Sequence, residues 1–175
     1  MAITILSPAE RERMRRAGRA AAATLAYVGA RLVPGMTTKE IDELVRAHTA
    51  KLGGKPSQLG YHGFPAAVCV SRNDVVCHGV PSAQVRLVEG DIVNVDVTTE
   101  LDGYHGDTSA TFVIGEASAA ARALVELARG ARDAGIAAAL PGARLGDLGA
   151  AIVAHVGTAG SIVEAYGGHG IGRAM

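Results

Sequence analysis

The spacing of apolar and polar positions along the chain changes several times, and each change marks an element. "SPAE", Ser7 to Glu10, has the spacing of a capping box with Pro8 at the first helical position, and an Ala- and Leu-rich run follows. This predicts a first helix from Pro8 to Leu32, stopped by "VPGM". "TTKE" at Thr37 to Glu40 opens a second helix, in which Ile41, Leu44 and Val45 share one face until "KLGG" ends it. Gly60 to Pro65 reads as a loop. The period then drops to two. "AVCVS" and "VVCHG" flank Asn73-Asp74 and predict one hairpin, while "DIVNVDVTTELDGYHGDTSATFVI", residues 91 to 114, predicts another around Asp102-Gly103. After Gly115 the helical period returns over 118–139 and 145–158, parted by "PGA" at Pro141 to Ala143.

The late helices repeat the early ones. A shift of 107 positions pairs Pro34-Gly35 with Pro141-Gly142, Glu40 with Asp147, Ile41 with Leu148, Val45 with Ile152, His48 with His155 and Gly53 with Gly160. The same shift lays "GYHGF" at Gly60 to Phe64 on "GGHGI" at Gly167 to Ile171, so His62 pairs with His169. Helices alone share spacing by necessity, but a Pro-Gly break and a G-x-H-G loop at one common offset point to an internal duplication. The expected organisation is a single domain over 1–175, with a first repeat of about 7–115 and a partial second repeat of about 116–175. Met175 corresponds to position 68 of the first copy, ahead of the segment that there supplies both hairpins.

Composition narrows the class. With 175 residues, 49% of them hydrophobic and 19% charged, the chain has the material of one ordinary globular domain. Seventeen basic and seventeen acidic residues cancel, which leaves no electrostatic footprint for nucleic acid or an anionic membrane. The apolar patch "AITIL" is too short for an export signal or a membrane span, so a cytoplasmic location is expected. Cys69 and Cys77 are too few for a disulfide framework and are expected as buried thiols.

The chemistry concentrates in the second hairpin, where Asp96 and Asp107 sit among valines and threonines. A two-residue turn at Asp102-Gly103 would set Asp107 opposite Thr98, and therefore put Asp96 and Asp107 on one face as diagonal neighbours, Cα atoms roughly 7–8 Å apart. Two buried carboxylates side by side repel, so either one is protonated or a hard divalent cation lies between them. The other readings are an exposed edge for one or both acids, Asp107 capping a turn through Thr108, or a one-residue slip that separates them. In the first hairpin, an Asn73-Asp74 turn would set His78 opposite Cys69, with Gly79 leaving room beside the imidazole. His169, between glycines that permit close approach, is a candidate ligand. His48 and His155 are expected to pack on their helices, and the basic run Arg11 to Arg16 to face solvent.

Taken together, "GYHGFPAAVCVSRNDVVCHGVP", "GDIVNVDVTTELDGYHGDTSATF" and "YGGHGIGR" closely resemble type I methionine aminopeptidase, in order and in spacing, over almost the whole chain. The resemblance implies an α+β pita-bread fold of the creatinase/aminopeptidase type: two pseudo-symmetric halves and a curved antiparallel sheet around a dinuclear metal centre. It implies Asp96 as a ligand of the first metal, Asp107 as the carboxylate bridging both, and His169 as a ligand of the second. His78 resembles the histidine that hydrogen-bonds substrate at the scissile amide. Tyr61, His62, Phe64 and Cys69 match residues around the bound methionine. The implied reaction is removal of the N-terminal methionine from nascent proteins whose second residue is small, with two divalent ions (cobalt, manganese, iron or zinc) as cofactors, and with the ribosome as a possible partner of a monomeric enzyme. The alternatives are an Xaa-Pro peptidase of the same fold and a noncatalytic binding module. The family pattern continues past "HGIGRAM" to a His-Glu pair and two glutamate ligands that this sequence does not contain, so the chain as it stands is expected to be inactive.

Overall fold

The computed structural model describes residues 4–175; the patch "AITIL" therefore lies partly outside the described residues. Two compact units make up the chain, one of residues 1–116 with 170–175, the other of residues 117–169.

The first unit opens with helix α1, Pro8–Gly29, and helix α2, Thr38–Lys51. Both begin with a capping box, the first as the sequence signals. The Ser7 and Thr37 hydroxyls accept from the backbone N–H of Glu10 and Glu40, whose carboxylates accept from the cap residues in return. Helix α1 stops at Gly29 instead of running to Leu32. The Arg31 N–H turns back to the Val28 carbonyl at 2.8 Å, which tightens the last turn into a reverse.

Four antiparallel strands follow: β1, Lys55–Pro56; β2, Cys69–Arg72; β3, Ile92–Leu101; and β4, Tyr104–Val113. Strand β4 pairs with β3 along its whole length, so β1 and β2 must share the other edge of β3, lying end to end. Alternation decides the faces. Val93, Val95 and Val97 are fully buried and join Ala21, Leu25 and Val28 of α1 and Ile41 and Val45 of α2 in one apolar core. Helix α1 reaches the sheet closely because residue 106 is glycine: a Cβ there would come within 2.3 Å of the Ala17 carbonyl carbon.

The expected first hairpin does not form. A turn does close at Asn73-Asp74, with the Val75 N–H on the Arg72 carbonyl at 3.1 Å, but Val75 and Val76 remain exposed and make no strand. Strand β2 takes its ladder from β3 instead. Asp91 secures this pairing. Buried at the entry to β3, it accepts from the Arg72 guanidinium, from Asn73 Nδ2 at 2.8 Å and from the Val88 N–H at 2.8 Å, tying the end of β2 to the start of β3.

In the second unit, helices α3, Ala119–Ala138, and α4, Leu145–Val156, pack against each other. Elements of the two units recur at the offset read from the sequence. Helices α2 and α4 begin 107 residues apart, at Thr38 and Leu145. Gly35 and Gly142, the same distance apart, both take a left-handed backbone, at φ +89° and +90°. His48 stacks on Tyr27 with ring centroids 4.1 Å apart and shares a 3.0 Å hydrogen bond with Thr24, so it joins α2 to α1. Its counterpart His155 lies across α3 at Gly130, where a Cβ would meet the imidazole Nε2 at 2.3 Å.

Candidate metal and substrate site

The β3–β4 hairpin turns at Asp102-Gly103, both with positive φ (+54° and +76°), as a two-residue hairpin of this handedness requires. The register sets Thr98 opposite Asp107 and Asp96 opposite Ser109. Asp96, Thr98 and Asp107 therefore share the face away from α1. The backbone groups of Thr98 are engaged on the other edge, by the Ser57 N–H and by Gln58, so Thr98 and Asp107 form a pair with no ladder bonds between them, the kind in which side chains approach closely. Accordingly, the Thr98 hydroxyl donates to an Asp107 carboxylate oxygen at 3.0 Å. Burial differs from expectation. Asp96 is half-buried and Asp107 exposed, so the pair is not the fully desolvated one that the sequence argument assumed. The chemistry of the donors nevertheless fits a hard divalent cation: two carboxylates one row apart, one of them oriented by a hydroxyl.

Cys69 is the cross-strand partner of Asp96 on β2 and faces the same way. Burial pushes its thiol up to about 12, with the Asp96 carboxylate, Cys77 and the Asp107 carboxylate adding to the effect. At neutral pH it is an uncharged thiol, suited to lining a pocket and not to ligating a metal as thiolate. Gly60, His62 and Gly63 all have positive φ and wind Tyr61–Gly63 into a single 3-10 turn. This turn presents Tyr61 and His62, exposed and edge to face at 4.3 Å, with Phe64 half-buried behind them.

His78 does not stand opposite Cys69. The Val70 N–H bonds to the Gly79 carbonyl at 2.9 Å, two residues beyond the hairpin register, so Cys77 and His78 fall outside that register and His78 takes a left-handed backbone, φ +53°. Gly79 leaves no room either: a Cβ would lie 2.1 Å from the Val70 carbonyl oxygen. His169 belongs to the second unit and is exposed. Among the described residues, no three His, Cys, Asp or Glu side chains gather into a group able to hold a metal.

The segment after His169 is anchored in the first unit. The His105 N–H donates to the Gly172 carbonyl at 2.9 Å, and Arg173 lies over the Tyr104 ring and 3.5 Å from Glu10, to which the Tyr104 hydroxyl also donates. Sequence reasoning missed Glu10, Tyr104 and Arg173 in this role, as it missed Thr98 and Gln58 beside the carboxylates.

Known proteins decide the family. The model of metallopeptidase family M24 matches residues 12–175. The chain belongs to metallopeptidase family M24. It is 45% identical over 172 residues to methionine aminopeptidase A of Synechocystis, covering 98% of this chain and 68% of that protein. The crystal structure of methionine aminopeptidase from Rickettsia prowazekii superposes with a TM-score of 0.95 at 39% identity, over 98% of this chain and 69% of that one. Prolidase from Pyrococcus furiosus, 20% identical with a TM-score of 0.82 over 97% of this chain and 49% of its own, shares the pita-bread fold. The chain spans about two-thirds of the length of the curated relatives it matches. As a family M24 hydrolase related to methionine aminopeptidases, it is of a class that works with divalent metal. No described helix is long and apolar enough to cross a membrane.

Proposed function

We propose that this chain carries the substrate-facing part of an aminopeptidase that removes N-terminal methionine when the next residue is small. The observation that supports it most is the shared face of Asp96 and Asp107, held by the hairpin register and by Thr98, in a chain whose relatives are methionine aminopeptidases. In this reading Asp96 and Asp107 would hold divalent metal, and His169 is a further candidate ligand. Divalent ions, when bound, polarise the peptide carbonyl and acidify water at neutral pH. The chain's own groups do the rest. Tyr61, His62, Phe64 and the neutral thiol of Cys69 form the walls for the methionine side chain. His78 hydrogen-bonds the substrate at the scissile amide and stabilises charge as that bond breaks. Nascent polypeptides, met at the ribosome in the cytoplasm, are the substrates in this reading.

The test joins this chain to the remaining third of a relative and compares cleavage of Met-Ala-Ser with that of an Xaa-Pro peptide, with cobalt or manganese added. Methionine release is expected to be the faster. Preference for the Xaa-Pro peptide would replace the proposed substrate, and no turnover of either would favour a noncatalytic role.

A further inference from the structure

Strands β1 and β2 lie end to end along one edge of β3 and leave a gap between them. Strand β1 pairs with Thr99 and Glu100, and β2 pairs with Val93 to Asp96. Across the gap, the Asp96 carbonyl and the Thr98 N–H point outward with no strand to meet them. The Gln58 side chain fills the place. Its Nε2 donates to the Asp96 carbonyl at 2.8 Å, its Oε1 accepts from the Thr98 N–H at 3.4 Å, and Nε2 also lies 3.8 Å from Cys69 Sγ. The residue is only 6% exposed. A primary amide carries N–H donors and a carbonyl acceptor on adjacent atoms, as a peptide group does, so it can continue a ladder where the backbone has turned away.

The two backbone groups that it holds belong to the residues that matter most on this face: Asp96 carries one carboxylate, and Thr98 orients the other through its bond to Asp107. We propose that Gln58 is a positioning residue for the carboxylate pair, a side-chain substitute for a missing strand that fixes the Asp96–Thr98 stretch of β3 and so sets Asp96 and Asp107 for a divalent cation. The proposal rests on the metal reading of those two acids. Its effect is indirect: Gln58 touches backbone, and the backbone aims the ligands. Partners that orient metal ligands in this way typically change metal affinity by about 10- to 100-fold when removed.

The test compares the wild type with Gln58→Met, which keeps length and volume but has no amide, and with Asp96→Asn. Two quantities are read: cobalt affinity by titration calorimetry with the visible spectrum of the bound ion, and hydrogen exchange of the Thr98 amide by NMR. Gln58→Met is expected to bind cobalt about tenfold more weakly, with an altered ligand-field spectrum, and to exchange the Thr98 amide faster, while amides of the β3–β4 ladder away from the gap keep their wild-type rates. Equal affinity and equal Thr98 exchange in Gln58→Met, with cobalt binding lost in Asp96→Asn, would overturn the Gln58 assignment and leave the metal reading intact. A wild type that takes up no cobalt would overturn the metal reading. Exchange then decides the ladder role alone: rapid exchange of Thr98 in the wild type, which needs no variant to fold, would overturn that as well.

Discussion

A carboxylate that bridges cations and a histidine that touches only substrate should fail differently when removed. Asp107→Asn and Asp96→Asn, made in the chain completed with a relative's remaining third, are each expected to abolish nearly all methionine release and to lower bound metal together with it. Elemental analysis of the purified variants checks this, and unchanged metal content in both would remove the proposed ligands. His78→Ala is expected to lower kcat while metal content stays at the wild-type level, because a residue that touches substrate and not metal acts on the chemical step. Loss of metal in that variant would mean that His78 is a ligand. Cys69→Ser, by contrast, replaces one neutral group with another and is expected to retain metal.

Among the elements, the anchor most exposed to a single change is Asp42 on α2. Its side chain is fully buried. It accepts from the Ala67 N–H at 2.6 Å, from Arg46 at 2.7 Å and from Lys39 at 3.1 Å, and so pins the segment leading into β2 to the helix. Burial pushes its carboxyl up, but Arg46, the Ala67 N–H and Lys39 outweigh that and hold it below the usual range. A lowered native pKa means that Asp42 stabilises the fold above its unfolded value, about 3.9, and that this contribution fades as pH falls through the lower native value. Asp42→Ala is expected to cost about 3 kcal/mol at neutral pH, and the gap from the wild type should shrink in urea unfolding below about pH 4. A gap that widened on acidification would contradict the sign. The same comparison of elements shows what the sequence could carry. The capping box at Ser7–Glu10, the helix start at Thr37–Glu40 and the Asp102-Gly103 hairpin are local signals of two to four residues, and each appears in the structure where it was read. The Asn73-Asp74 turn was equally local and did form, but no second strand follows it: the Val70 N–H takes the Gly79 carbonyl, two residues off the hairpin register, and the Arg72–Asp91 pair ties β2 to β3, some twenty residues later. Gln58 had no local signal at all. Its role exists only because two short strands stop short of each other along β3.

For the whole molecule, the two units contrast in what they bury. The first has a continuous apolar core beneath its sheet. Within the second, Val125, Ala131, Gly135 and Val156 are buried, while Leu124, Ile136, Leu140, Leu145 and Val153 stand 55%, 65%, 67%, 89% and 55% exposed on or beside two packed helices. In the first unit α1 packs against β3 and β4, and α2 packs against α1 and β1; α3 and α4 have no strand within their own unit to play that part. Large apolar side chains gathered on one small unit drive association in water, at roughly 25 cal/mol for each Å² of apolar surface removed. The chain is therefore expected to self-associate with rising concentration. Sedimentation velocity over a hundredfold range should show the mass increase, and the double variant Ile136→Lys with Leu145→Lys should shift the distribution back toward monomer. These substitutions lie outside the first unit, so its β3–β4 register and any cobalt bound at Asp96 and Asp107 should be unaffected. A wild-type chain that stays monomeric across the range would show that the exposed apolar residues of α3 and α4 are tolerated by solvent, and the contrast between the units would then carry no consequence for assembly.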